Sequence, residues 1–185
     1  MRSLTNLFIA VFMLLALPVY AESELGVLVS SDVVAFNYGR NNDNNSQWGM
    51  MGLYNDSEHA SLIAAHFNVV GDVGDSSEFH TGLGFKAAIY DTFETAASLA
   101  LGGRVEYSPV NWSGVGLIGQ LYYAPNIFST KDVSKYLDIV LRLTYAVNPQ
   151  AKVFVGWQNI EVGYDEIDTD FKIDQSLNVG FSLYF

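Results

Sequence analysis

Apolar and polar residues alternate at the end of the chain, from Ser176 to Phe185. The even positions are polar or small, and the odd positions are all apolar: Leu177, Val179, Phe181, Leu183 and Phe185. Successive strand residues face opposite sides, so this pattern predicts a strand with one apolar face. The alternation runs back through Gln175, Ile173 and Phe171, which gives up to about 15 residues, whereas soluble strands usually have about 5 or 6. A tilted strand that crosses a bilayer needs roughly 9 to 11 residues, so we predict a transmembrane strand.

Similar alternation recurs from Glu24 onward, without a convincing helix-period segment. The clearest example is Tyr136–Val147, with one face of Leu137, Ile139, Leu141 and Leu143 and an opposite face containing Asp138 and Arg142. We count nine segments, or ten if Ser30–Asp32 turns the chain within Leu25–Tyr38. Bacterial barrels have even strand numbers. The pattern therefore predicts an all-β, small antiparallel transmembrane barrel of eight to ten strands, and ten is preferred.

The turn signals group into two sets. If the carboxyl terminus lies in the periplasm, strand alternation places Asn148–Gln150 and Ser108–Ser113 there as short turns. Ala124–Ser134 and Asp165–Asp170 then become loops at the cell surface.

One strand changes phase. In Lys152–Tyr164 the apolar residues are first at odd positions, Val153, Val155 and Trp157, and then at even positions, Ile160, Val162 and Tyr164. An extra residue in one strand produces such a shift, so we predict a β-bulge near Gln158–Asn159.

Charged strand residues share the face opposite the apolar one: Lys86, Arg104, Glu106, Asp138 and Arg142. In a barrel of this size the interior is narrow and mostly filled by side chains. Charges of both signs should pair across it, because an unpaired buried charge is very costly. The sequence therefore predicts a plugged lumen and an apolar face toward lipid.

Many aromatic residues lie near segment ends, where amphipathic rings favour the headgroup zone. We predict two interfacial girdles from these residues: Tyr54, Tyr90, Tyr107, Trp112, Tyr122, Tyr123, Tyr145, Trp157, Tyr164 and Tyr184.

The first residues, Met1–Ala21, combine Arg2, an apolar run from Leu7 to Leu17 and a small-residue exit. These are the parts of a secretory signal peptide, so we expect cleavage after Ala21 and a single barrel domain over residues 22–185. The net charge of −11 becomes one unit more negative when Arg2 is removed. This balance argues against nucleic-acid partners, which need a basic surface. The chain has no cysteine, so disulfides cannot stabilise it.

Candidate chemistry is sparse. His59-Ala60-Ser61 is similar to the His-x-Ser of an outer-membrane lipid A deacylase, but Leu62 and Ile63 replace the residues expected next. His66 and His80 have no partner at metal-ligand spacing, and lumen or packing roles are favoured. We predict no catalytic, cofactor-binding or metal-binding residue.

Two other features have some of the residues of a binding site. An acidic loop with Asp165, Glu166, Asp168 and Asp170 offers oxygen ligands for Ca²⁺, but its spacing favours a solvated loop. The glycines of Gly82–Gly84 are not followed by a helix, so they do not predict a phosphate loop. Inward glycines instead leave room for large neighbours.

Short Gly-rich motifs carry a resemblance to a known family. They are Gly82-Leu83-Gly84-Phe85-Lys86, Leu99-Ala100-Leu101-Gly102-Gly103-Arg104-Val105, Tyr122-Tyr123-Ala124-Pro125, Val153-Phe154-Val155-Gly156-Trp157 and the closing strand. Over roughly the last 110 residues, including these motifs and the closing strand typical of a barrel, the chain resembles the YfaZ family of predicted outer-membrane proteins. The resemblance implies an outer-membrane barrel of undetermined role.

The closing strand also resembles the recognition signal of outer-membrane barrels, in which Asn178, Gly180, Leu183 and Phe185 fill the polar, Gly, hydrophobic and terminal aromatic places. This resemblance implies contact with the barrel-assembly machinery.

Together these features lead us to expect a non-enzymatic protein of the bacterial outer membrane. Its partners would be outer-membrane lipid and lipopolysaccharide, and its role structural, adhesion-like or narrow transport. One alternative is a soluble periplasmic barrel of lipocalin type, which would direct Leu137 and Leu141 inward onto an apolar ligand and expose Asp138. Another is an outer-membrane lipid-modifying enzyme.

Overall fold

Ten antiparallel strands close into a barrel in the computed structural model, which describes residues 23–42, 44–73, 78–165 and 167–185, with the backbone alone for 167–169. The expected signal peptide Met1–Ala21 lies outside these residues. The strands are β1 (Ser23–Val29), β2 (Val33–Asn42), β3 (Ser46–Asn55), β4 (Ala60–Asp72), β5 (Phe79–Asp91), β6 (Thr95–Tyr107), β7 (Val115–Pro125), β8 (Val133–Asn148), β9 (Ala151–Tyr164) and β10 (Ile167–Tyr184). Short 3₁₀ turns occupy Val110–Trp112 and Asn126–Phe128. No helix in the described ranges has the length and apolar character needed to cross a membrane.

The first predicted segment is a hairpin, which settles the strand number at ten. Ser30 N–H donates to the Val33 carbonyl at 2.9 Å, and Val29 then pairs with Val34 across β1 and β2. Each strand pairs with its neighbour in sequence, and β10 closes the barrel on β1. Ten strands are therefore confirmed, and the eight-stranded count is wrong.

Both ends of the described chain lie at one end of the barrel, here called the terminal end. Ser23 and Phe185 exchange two main-chain hydrogen bonds of 3.0 Å. The turns Asn148–Gln150 and Ser108–Ser113 lie at this end too, while Ala124–Ser134, Asp165 and the start of β10 lie at the opposite, distal end. The predicted grouping of the loops is confirmed.

The apolar strand faces point outward. On β8 Leu141 is 54% exposed and Leu143 47%, while Asp138 on the opposite face is fully buried. On β10 the odd positions Leu177 and Val179 are likewise exposed. This is the reverse of the arrangement that a lipocalin-like barrel requires, because such a barrel keeps its apolar face inside.

The β-bulge is in β10, so the prediction of a bulge near Gln158–Asn159 in β9 is wrong. Pairing skips one residue of β10 between Lys172 and Asp174, and Ile173 is the extra residue. Pairing along the middle of β9 is regular on both sides. The inward alternation of β9 is therefore unbroken, and its distal lumen positions are apolar and buried: Ile160, Val162 and Tyr164.

The aromatic residues divide between two surfaces. Tyr90, Tyr122 and Tyr164 are buried inside the barrel, and Tyr184 pairs with lumen-facing Glu24, so the prediction that all ten form girdles is wrong for these four. The exposed aromatics lie near both ends, with Tyr54 and Tyr123 distal and Trp112 and Tyr145 terminal. Lumen and outer tyrosines both lie near strand ends, so neither residue type nor nearness to a strand end separates the two sets.

Candidate functional site: the barrel lumen

The distal part of the lumen is closed by packed apolar and aromatic side chains. Tyr90 of β5 and Tyr136 of β8 stack with ring centroids 5.7 Å apart and planes 12° apart. The Tyr90 hydroxyl lies 2.8 Å from Ser98 Oγ, which lies 2.8 Å from Ser129 Oγ in the loop after β7. Fully buried aliphatic residues surround the rings: Leu28, Leu62, Val133, Ile160, Val162 and Ile173. This layer, here called the distal plug, fills the barrel interior as side chains do in small barrels.

A buried ion pair lies beneath the distal plug. Lys86 Nζ donates to Asp138 Oδ2 at 2.6 Å, and the two side chains are 4% and 1% exposed. Lys86 Nζ also lies 4.6 Å from the centre of the Tyr122 ring, whose hydroxyl donates to Asn68 Oδ1 at 2.7 Å. Gln120 Nε2 approaches Asp138 Oδ1 at 3.4 Å. The predicted pairing of Lys86 with an acid across the lumen is confirmed, as the cost of burying a lone charge requires.

The lumen widens toward the terminal end. Arg104 Nη2 donates to Glu106 Oε2 at 3.1 Å, and Lys152 Nζ donates to Glu106 Oε1 at 3.3 Å. Lys152 Nζ lies 5.1 Å from the Tyr184 ring. These residues, with Glu24 and others, line a polar cavity of about 430 Å³, here called the terminal vestibule.

One predicted lumen charge is not paired as expected. The Arg142 guanidinium lies 4.5 Å from the centre of the Phe154 ring, and its Nε has no hydrogen-bond partner among the described residues. A ring face attracts a cation through its quadrupole. Pairing across the lumen is thus confirmed for Lys86 with Asp138 and for Glu106 with Lys152, whereas Arg104 pairs with Glu106 along its own strand β6.

The His59-Ala60-Ser61 stretch forms the end of the β3–β4 turn. His59 adopts a φ of 52°, and its Nδ1 lies 2.5 Å from the Asp56 carbonyl oxygen. Ser61 is exposed on the outward face of β4, paired with Tyr54 and Asp91. The two residues therefore have separate surroundings, unlike a histidine that activates a serine.

The other histidines line the lumen or its rim. His66 projects inward beside Lys86 on β5, and His80 Nδ1 lies 2.5 Å from Asp72 Oδ1 at the vestibule. Within the described ranges no group of three His, Cys, Asp or Glu side chains is placed to hold a metal ion.

The predicted acidic loop Asp165–Asp170 is described only in part, and the prediction of a loop is wrong for residues 167–170, which belong to β10. Asp165 is exposed, and Asp170 accepts a hydrogen bond of 2.7 Å from Lys135 Nζ. Glu166 and the side chain of Asp168 lie outside the described residues.

Sequence reasoning missed a polar file along β9 and β10. Asp174, Ser176 and Asn178 of β10 face the lumen beside Gln158 of β9. The period-two pattern places Asp174, Ser176 and Asn178 on the polar face, but it gives no sign that their side chains lack partners, and the bulge turns Ile173, expected outside, into the lumen.

A closed antiparallel barrel with an apolar outer surface and a charged interior is a transmembrane β-barrel. The profile of the YfaZ precursor family matches residues 2–185, so the chain belongs to the YfaZ family. The resemblance seen in the sequence is confirmed.

Two solved structures of a porin have a similar fold. The KdgM porin is 10% identical, with a TM-score of 0.49 over 88% of this chain and 98% of that chain. The KdgM porin in complex with disordered oligogalacturonate is 11% identical, with a TM-score of 0.50 over 88% of this chain and 99% of that chain. At this identity the likeness concerns the fold. No curated protein matches the chain.

Proposed function

We propose that this chain is a non-enzymatic barrel of the bacterial outer membrane whose lumen is closed to sugars and hydrated ions. The observation that carries the proposal is the combination of the distal plug with the buried Lys86–Asp138 pair beneath it. The stacked rings and the buried ion pair occupy the lumen, which supports a closed passage. The role is then structural or narrow transport, and the outward apolar belt supplies the lipid-facing surface.

Passage of an acidic sugar is not favoured by the lumen charges. The similar porin is seen in complex with oligogalacturonate, a polyanion. Here Lys86 is paired with Asp138, and Arg104 and Lys152 share Glu106; Arg142 has no acid partner among the described residues and lies against the Phe154 ring. A cation that is already paired offers a polyanion little net attraction, since the partner carboxylate repels it.

We expect purified protein in planar lipid bilayers to show no steady conductance in the nanosiemens range. The reason is that the distal plug excludes hydrated ions. Single-channel recording measures this directly, and steady nanosiemens steps from pure protein would contradict the proposal.

A double substitution provides the positive control. Tyr90→Ala with Tyr136→Ala removes the stacked pair and should introduce or enlarge ionic current. The matched pair Tyr54→Ala with Tyr123→Ala changes two exposed outer tyrosines and should stay silent. Equal behaviour of the two double variants would show that the rings do not close the lumen.

The biogenesis of the barrel follows from the sequence expectations. We propose that Met1–Ala21 is removed as a signal peptide and that the closing strand, through Asn178, Gly180, Leu183 and Phe185, is read by the barrel-assembly machinery. Lipopolysaccharide would then surround the distal half. Mass spectrometry of the protein from outer-membrane fractions should give a chain that begins at Glu22, and an intact Met1 would refute cleavage.

A further inference from the structure

The lumen side of β9 and β10 contains buried polar atoms that find no hydrogen-bond partner among the described residues. They belong to four side chains, here called the polar file: Gln158, Asp174, Ser176 and Asn178. Gln158 is 1% exposed, and within the described part of the chain neither its amide nitrogen nor its amide oxygen has a hydrogen-bond partner. Buried polar groups in native proteins are bonded to protein or to ordered water. A run of such atoms on one wall therefore indicates bound water.

The polar file is continuous along the barrel wall. Gln158 lies directly opposite Ser176 across β9 and β10. Asp174 is one lumen position further toward the distal end, and Asn178 one position toward the terminal end. The Asp174 carboxylate, the Ser176 hydroxyl and the Gln158 amide are neighbours on this wall, yet none of their buried atoms meets hydrogen-bond geometry with a partner among the described residues. Buried polar neighbours that do not bond one another directly are commonly bridged by water.

The polar file has a cavity at each end. Asp174 and Ser176 line a distal cavity of about 240 Å³. Gln158 and Arg142 line a deeper cavity of about 60 Å³, which shares Arg104 with the terminal vestibule. A single water needs only about 10 to 15 Å³. Ser176 of the distal cavity and Gln158 of the deeper cavity are cross-strand neighbours, so the two cavities approach each other at this pair.

We infer that the polar file conducts water along β9 and β10 while it excludes ions, an inference that rests on the proposed closed membrane barrel. Gln158 offers one donor group and one acceptor between the two cavities, so it can pass a water molecule from one hydrogen bond to the next. The route carries fixed charges of both signs in series. An anion meets Asp174, and a cation meets Arg142, whereas neutral water is repelled by neither.

The test is the osmotic water permeability of proteoliposomes, measured by stopped-flow light scattering. Wild-type protein should raise the permeability above that of protein-free vesicles. Gln158→Leu should lower the water permeability that the protein adds by about tenfold. This factor corresponds to the loss of one hydrogen bond on the route. The matched control is Gln150→Leu, the same substitution at an exposed position of the β8–β9 turn that lines none of these cavities, which should leave water flux unchanged.

Two further measurements separate the outcomes. Heat-shifted gel mobility reports folding of each variant, and Ser176→Ala, a smaller change, should reduce water flux partially if Gln158→Leu does not fold. Folded wild-type barrels that are no more permeable than empty vesicles would overturn the inference, as would equal flux through Gln158→Leu and wild type. In the same vesicles, large ionic currents would defeat the proposed closed barrel, whereas absence of both water flux and current would defeat only the water route.

Discussion

Replacement of Lys86 by methionine should destabilise the folded barrel by about 3 to 5 kcal/mol. The substitution keeps most of the side-chain volume but leaves the Asp138 carboxylate buried without its cation. Asp138 is fully buried, and its remaining approaches from Gln120 and Tyr136 are long, at 3.4 Å each. Denaturant unfolding of the barrel in detergent micelles or lipid vesicles would measure the loss.

The control for Lys86→Met is the same substitution at Lys131 on the protein surface. Lys131 lies 3.8 Å from Glu94, and both side chains are substantially exposed. Lys131→Met should therefore cost less than about 1 kcal/mol. The double variant Lys86→Met with Asp138→Leu should be more stable than Lys86→Met alone, because no buried charge is left over. If Lys86→Met lowered the free energy of unfolding no more than Lys131→Met does, the buried ion pair would not stabilise the barrel.

The outer surface of the barrel was predictable because it follows a single physical rule. Where one strand face is apolar and the other is charged, as at Leu141 and Asp138, a lipid-facing barrel has one possible orientation. The same reasoning predicted the pairing of Lys86, since a narrow interior cannot hold an isolated charge. The hairpin at Ser30–Asp32 followed from the rule of even strand number.

The distal plug was not predictable from alternation. Its residues, such as Ile160, Val162 and Leu62, have the same apolar character as residues that face lipid. A strand that is apolar on both faces gives no periodic signal, because hydrophobicity alone does not distinguish a packed interior from a bilayer. Only the register of the closed barrel, with its bulge at Ile173, shows which face is inside.

Gly180 is one position where a single added methyl group should strongly lower the stability of the barrel. A Cβ built there would overlap both the Val27 carbonyl oxygen and Phe154 Cζ. Val27 belongs to β1, so the first clash lies at the seam where β10 closes the barrel. Gly180→Ala should therefore destabilise the barrel by about 3 kcal/mol or more, since overpacking against backbone cannot be relieved by a rotamer change. Refolding into detergent, followed by heat-shifted mobility and denaturant titration, measures the effect.

Refolding without assembly factors separates this steric role from the recognition role expected for the same glycine. Phe185→Ala alters the expected recognition signal at the last residue, so it should refold normally in detergent and lower only the assembly yield in cells. Gly52→Ala is the steric control, because a Cβ at Gly52 meets nothing within 4 Å. That substitution should leave stability unchanged or raise it by up to about 1 kcal/mol. Normal refolding of Gly180→Ala in detergent would contradict the steric argument and leave recognition as the reason for a glycine at this seam.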